Sequence, residues 1–179
     1  MSEVYLKKAK KTPETGTSET RKIVERMLSE IEIGKETIAK KYASDLDGFN
    51  GDIIVSQESI ENASKMVPEK LKDDIKFAHE RIKKFAEAQK QSISEFETEL
   101  SPGLWAGQKL IPIQTAGCYV PGGRYAHVAS AIMSITTARV AGVENIIACS
   151  APKGEDGPNP AILYTCLLYT SDAADEVDG

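Results

Sequence analysis

The sequence predicts an α/β fold: a helical N-terminal region followed by a partial Rossmann-like βαβ layer. Three observations carry this. Residues Gly117 to Gly142 (GCYVPGGRYAHVASAIMSITTARVAG) read as strand, glycine turn and helix. Asn145 to Ser150 (NIIACS) is a short apolar run directly after that helix, which completes a strand–helix–strand unit. Upstream of both, apolar residues recur at helical spacing rather than alternating. A ligand of such a unit is expected at the C-terminal end of its first strand.

The elements follow in order. Residues 1–17 are polar, lysine-rich and broken by Pro13 and Gly16, and are expected to form a flexible arm. A mainly helical region spans 18–100. Ser18 suits the N-cap of a helix from Glu19 to about Ile33, with Ile23, Met27 and Ile31 as its apolar stripe and Val24 and Leu28 beside them. Gly34 interrupts the pattern before a second helix, Lys35 to about Ser44. The cluster Asp47-Gly48-Phe49-Asn50-Gly51 is a turn, and Ile53 to Val55 reads as a short edge strand. Ser56 caps a helix from Gln57 to about Met66. Pro68 stands where a first-turn proline belongs, opening a helix to about Lys90 with a stripe of Leu71, Ile75, Ala78, Ile82 and Phe85. His79 flanks that stripe as a surface or boundary histidine. Residues 91–110 read as strand or irregular chain with a turn at Ser101-Pro102-Gly103, and Trp105 is expected to pack against the helices.

The nucleotide-binding lobe is drawn at 101–165. Its first strand is Ile111 to Val120. It ends at Pro121-Gly122-Gly123, because proline donates no ladder bond and glycine permits φ > 0. The helix Ala126 to Ala141 places Val128, Ile132, Ile135 or Thr136, and Val140 on one face, and Gly142 stops it. Many of its side chains are small, which suits either tight packing or close approach to a ligand. Residues 152–160 (PKGEDGPNP) form a loop, and Ala161 begins another helix.

Composition bounds the function. The 179 residues carry 22 basic and 27 acidic side chains, for a net charge of −5. Without the last fourteen residues, which hold four acids and no base, the balance is 22 bases against 23 acids. A near-neutral body argues against nucleic acid or an anionic membrane as partner. No apolar run approaches the roughly 18 residues that a membrane helix needs. The N-terminus lacks the apolar core of a secretory signal. Three scattered cysteines (Cys118, Cys149, Cys166) and no C-x-x-C motif fit a reduced, cytoplasmic setting. Cys118 and Cys149 read as buried small hydrophobes in strands. His79 and His127 have no ligand-spaced partners, so no metal site and no catalytic residue is assigned.

Candidate site residues gather at the PGG turn. Gly122 and Gly123 allow close backbone approach of a phosphate, and the helix behind them offers free N–H groups. Neither G-x-G-x-x-G nor G-x-x-x-x-G-K-[ST] is present. Tyr119 could stack on a flat ring. Arg124 could pair with an anionic substrate group, and His127 could donate to a ligand or move a proton.

GCYVPGG, followed by a small-residue helix ending ARVAGV, resembles the histidinol dehydrogenase family. The resemblance runs over roughly Thr20 to Thr165 and includes the paired N-terminal helices, the long helix with FAEAQ near its end, and the segment NPAILYT. Where the typical histidine-biosynthesis enzyme follows its turn with a short Ala-Pro segment, this chain has GGRYAHVASAIMS. That departure resembles the sulfopropanediol 3-dehydrogenase branch, and it favours a sulfonated diol over histidinol as substrate. The resemblance implies hydride transfer from a small polar alcohol to NAD, with zinc orienting the substrate, a histidine taking the proton, and a homodimeric assembly. Tyr119 matches the family tyrosine that contributes to NAD binding. The family's Glu-His pair and its zinc ligands (Gln, His, Asp, His) lie downstream of the matched region. The chain is therefore expected to be an N-terminal part, inactive alone. Cys166 to Glu176 (CLLYTSDAADE) resembles a translated sequencing adaptor, so 166–179 are expected to be non-native. Two other readings compete: a stand-alone nucleotide- or phosphate-binding module, and a gene fragment without function of its own.

Overall fold

A computed structural model describes residues 18–122 and 125–170. The predicted arm 1–17, the residues Gly123 and Arg124, and 171–179 lie outside the described residues. The elements are α1 (Ser18–Asp47), α2 (Gln57–Met66), α3 (Glu69–Gln91), β1 (Phe96–Ser101), β2 (Leu104–Gln108), β3 (Thr115–Val120), α4 (Val128–Ala141), β4 (Asn145–Ser150) and α5 (Pro160–Thr170). The class is α/β, as predicted.

α1 is two helices joined at a kink. Lys35 has φ 51° and ψ −136°, which no helix interior accepts. Gly34 precedes it because a Cβ there would collide with the Ile38 side chain. Tyr42 Oη donates to Glu30 Oε2 at 2.6 Å across the bend. In a straight helix twelve residues would separate them by about 18 Å. No residue of α1 is buried. Its apolar stripe is therefore formed but only half-covered, with Met27 and Ile31 partly buried and Ile23 exposed.

α2 begins as predicted, with Ser59 N–H donating to Ser56 Oγ at 3.2 Å. It packs on α5, and α3 packs on α4. On α3 the buried residues are Ile75, His79 and Ala86, so the covered face is rotated from the predicted stripe and Phe85 is 65% exposed. His79 is thus a core-facing histidine, rather than a surface or boundary one. Its Nδ1 lies 3.3 Å from Glu80 Oε1. Lys72 ties α3 to α5, its Nζ standing 5.6 Å from the Tyr164 ring centroid.

Residues 91–110 resolve into an antiparallel hairpin, β1 on β2, turning at Pro102-Gly103. Every residue of both strands is exposed. Trp105 is accordingly 56% exposed, contrary to expectation, because among the described residues no helix packs broadly on the hairpin. Ile53–Val55 forms no strand. It faces β4 across an apolar crevice of about 400 Å³ and so has no ladder partner.

β3 is shorter than predicted, starting at Thr115 rather than Ile111. Pro112 has no N–H to donate, and the ladder with β4 begins only at Thr115, just after the Gln114 carbonyl, which accepts Asn145 N–H at 3.1 Å. β3 and β4 pair in parallel, in register from Thr115↔Asn145 to Val120↔Ser150. Alternation points Cys118 and Val120 inward towards α4 and leaves Gly117 and Tyr119 on the open face. On β4 the same alternation exposes Ile147 and Cys149. Cys149 is therefore not the buried thiol expected of it, whereas Cys118 is.

α4 is apolar or small around its whole circumference, as a helix buried on several sides must be. It touches both strands, α3 and α5. Ala131, Ile132 and Ile135 join Val120, Ile162 and Tyr164 in the core. α5 runs unbroken past Thr165, with Cys166 and Leu168 packed on that core.

Candidate functional site

The carboxyl ends of β3 and β4 lie side by side, as a parallel pair requires. After Val120 the chain turns at Pro121 and Gly122. It returns at His127, whose backbone N–H donates to the Pro121 carbonyl at 3.1 Å. α4 then starts at Val128 rather than at Ala126, with His127 as N-cap. Its carbonyl accepts Ser130 N–H at 2.9 Å, and no side chain caps the helix. The first amides of α4 are thus presented at the end of the sheet, next to the turn.

Gly122 and His127 are brought together through Pro121. Gly122 is buried and His127 is exposed. Tyr119 stands apart from them on the opposite, open face of the sheet and is 64% exposed. Gly117 lies two residues earlier on that face, with open space where a Cβ would be. The ring of Tyr119 and the bare strand surface beside it form a platform that could take a flat group. Gly123 and Arg124 lie outside the described residues.

Gly122 does not occupy the left-handed region that glycine alone favours. Its small size matters for contact instead. A Cβ there would collide with Ser150 Oγ and stand 3.2 Å from both the Ala151 carbonyl and Ile162 Cδ1. Ser150 thus belongs to the turn's surroundings, although its own sequence context gave no signal. Only the parallel register, which sets Ser150 opposite Val120, brings it there.

The loop after β4 borders the same end. Lys153 N–H donates to the Gly157 carbonyl at 2.7 Å, closing a short 3₁₀ turn at Gly154–Asp156. Asn159 Oδ1 accepts Ala161 N–H at 2.9 Å and caps α5. The two helices that follow the two strands therefore both start at this end.

A larger apolar groove of about 930 Å³ lies at the other end of α4, between Ile111, Ile93 and Gly142. None of Tyr119, Gly122 and His127 lines it. Among the described residues no group of three or more His, Cys, Asp or Glu side chains could hold a metal. No helix of the described residues is long and apolar enough to cross a membrane.

Comparison with known proteins agrees with this architecture. The sequence profile described as histidinol dehydrogenase matches residues 10–177. A histidinol dehydrogenase homolog of Pelagibacter ubique is 53% identical over 173 residues, covering 96% of this chain and 40% of the relative. The sulfopropanediol 3-dehydrogenase of Ruegeria pomeroyi is 47% identical over 175 residues, again covering 40% of its length. The crystal structure of histidinol dehydrogenase from Elizabethkingia anophelis superposes with a TM-score of 0.78 at 30% identity. It matches 88% of this chain and 36% of that one. The chain thus spans about 40% of the length of the relatives it matches.

Proposed function

The chain belongs to the histidinol dehydrogenase family, a family of dehydrogenases, and from that premise we propose that it forms the nucleotide-binding part of an NAD-dependent alcohol dehydrogenase. The observation that carries this reading is the exposed Tyr119 ring at the carboxyl end of a parallel strand pair, close in sequence to the uncapped start of α4. A flat nucleotide ring would lie on Tyr119. The PGG turn, with Gly122 and Gly123, and the first amides of α4 would receive the pyrophosphate. NAD supplies the hydride acceptor. The residues of this chain bind and orient it.

The substrate is a small polar alcohol. The name of the Ruegeria relative supports a sulfopropanediol-like compound, and other family names support histidinol. Arg124 would face an anionic group of that substrate and His127 would donate to it. Zinc does not fit the residues described: no cluster of ligands is present, so no step is derived through it. The enzyme is proposed to work as a homodimer in the cytoplasm, and this chain alone to bind NAD without reducing it.

The test is calorimetric titration of the 179-residue chain with NAD. Saturable binding is expected, weakened about tenfold by Tyr119→Ala, equivalent to about 1.4 kcal/mol. Absence of saturable heat, or an unchanged affinity in the variant, would contradict the reading.

A further inference from the structure

Gly122 and Ser150 interlock. Val120 and Ser150 are register partners at the last position of the two strands, so the turn after β3 passes directly over Ser150. The Ser150 hydroxyl fills the space that any side chain at position 122 would need. Its own hydrogen bond, to the Ala151 carbonyl, is 3.5 Å long and contributes little. The hydroxyl is therefore placed by packing against the turn rather than by a strong bond of its own.

We propose that Ser150 is a positioning residue that seats Gly122 at the end of β3. With glycine at 122 the backbone settles onto the Ser150 hydroxyl. This height fixes Pro121, whose carbonyl accepts His127 N–H and so sets where α4 begins. At Gly122 it is a contact, and not a backbone angle that only glycine adopts, that calls for glycine. The seat stands on geometry alone, while its consequence for nucleotide binding rests on the proposed function.

A double-mutant cycle tests it. Gly122→Ala is expected to lower the melting temperature and to weaken NAD binding by about tenfold or more, because the new methyl displaces the turn. Ser150→Ala alone should weaken NAD binding by about threefold or more, because Gly122 loses the hydroxyl on which it rests, and an unchanged affinity would count against the seat. Combining the two should recover most of both losses. Two tight contacts would remain for the new methyl, and one of them, the Ile162 methyl, can move. A double variant no better than Gly122→Ala would overturn the proposal, as would a Gly122→Ala variant indistinguishable from the parent. Should Gly122→Ala fail to fold, Ser150→Val with Gly122 retained presses on the turn from the other side. It should weaken NAD binding while the circular dichroism stays unchanged, and unaltered affinity in that variant counts against the seat. If the parent does not bind NAD, the proposed function falls, and the cycle in melting temperature still decides whether Ser150 seats Gly122.

Discussion

The β3–α4–β4–α5 unit and the β1–β2 hairpin draw on similar apolar residues and treat them oppositely. In the first, Val120, Ile132, Ile135 and Ile162 are at most 2% exposed. In the second, Phe96, Leu100, Leu104 and Trp105 are all more than half exposed. The hairpin is held by its ladder and by local side-chain bonds, such as Glu99 Oε1 accepting Gly103 N–H at 2.8 Å and Glu95 Oε1 accepting Leu110 N–H at 2.9 Å. α1 behaves like the hairpin, with Leu28 at 61% and Ile33 at 82% exposure. Local pattern decides which element forms. A second apolar surface decides whether it contributes to stability.

That contrast is easiest to break in the core. Ile135→Ala removes a fully buried side chain between α4 and its neighbours and should cost about 2–5 kcal/mol in urea unfolding. Ile33→Ala, on the uncovered face of α1, should stay within about 0.5 kcal/mol. Similar costs for the two would mean that α1 is covered in solution by a surface absent from the described residues.

The same contrast explains what was legible in advance. Gln57–Met66 and Asn145–Ser150 appear at their predicted bounds because caps and short apolar runs are local signals. The Gly142 stop is local too, with φ 94° at the C-cap. Burial was not legible. Trp105 is expected against the helices yet lies exposed, and His79, expected at the surface or boundary, faces the core. Which face of a strand is covered depends on distant elements, so Cys118 is buried as expected while Cys149 is exposed. The sequence gathers Tyr119, Gly122 and His127 near one turn, and the structure sets Gly122 beside His127 while Tyr119 faces the other side of the sheet. Ser150 was invisible because its role depends on a register set thirty residues away.

The cysteines sharpen the comparison through pH. Burial pushes the Cys166 thiol from its ordinary 9.0 up to about 11, with Cys118 nearby adding to the shift. The folded state therefore holds this proton more tightly than the unfolded chain does. The resulting stability is fully present below pH 9 and is lost as pH rises from about 9 to 11. The loss is on the order of 2–3 kcal/mol at the top of that range. Unfolding of the parent and of Cys166→Ala across this window should show a steeper decline in the parent. Parallel curves would mean that α5 leaves the thiol open to water.

The smallest effect separates two glycines that share a backbone angle. Gly142 ends α4 at φ 94°, and a Cβ there would stand 3.3 Å from Pro112 Cγ. Gly103 turns the hairpin at φ 81° with nothing within 4 Å. Alanine at either position is strained by about 1–2 kcal/mol. At Gly142 the strain falls on a helix tied to the core, so Gly142→Ala should lower global stability by that amount. At Gly103 it falls on a hairpin whose strands are exposed throughout, so Gly103→Ala should open the hairpin locally and leave the global midpoint within about 0.5 kcal/mol. Trp105, the only tryptophan, sits two residues after Gly103 and reports the hairpin by fluorescence, while circular dichroism reports the helices. Separate transitions by the two probes in Gly103→Ala are the expected result. A single shared transition, displaced as far as in Gly142→Ala, would show that the hairpin folds as part of the core despite its exposed strands.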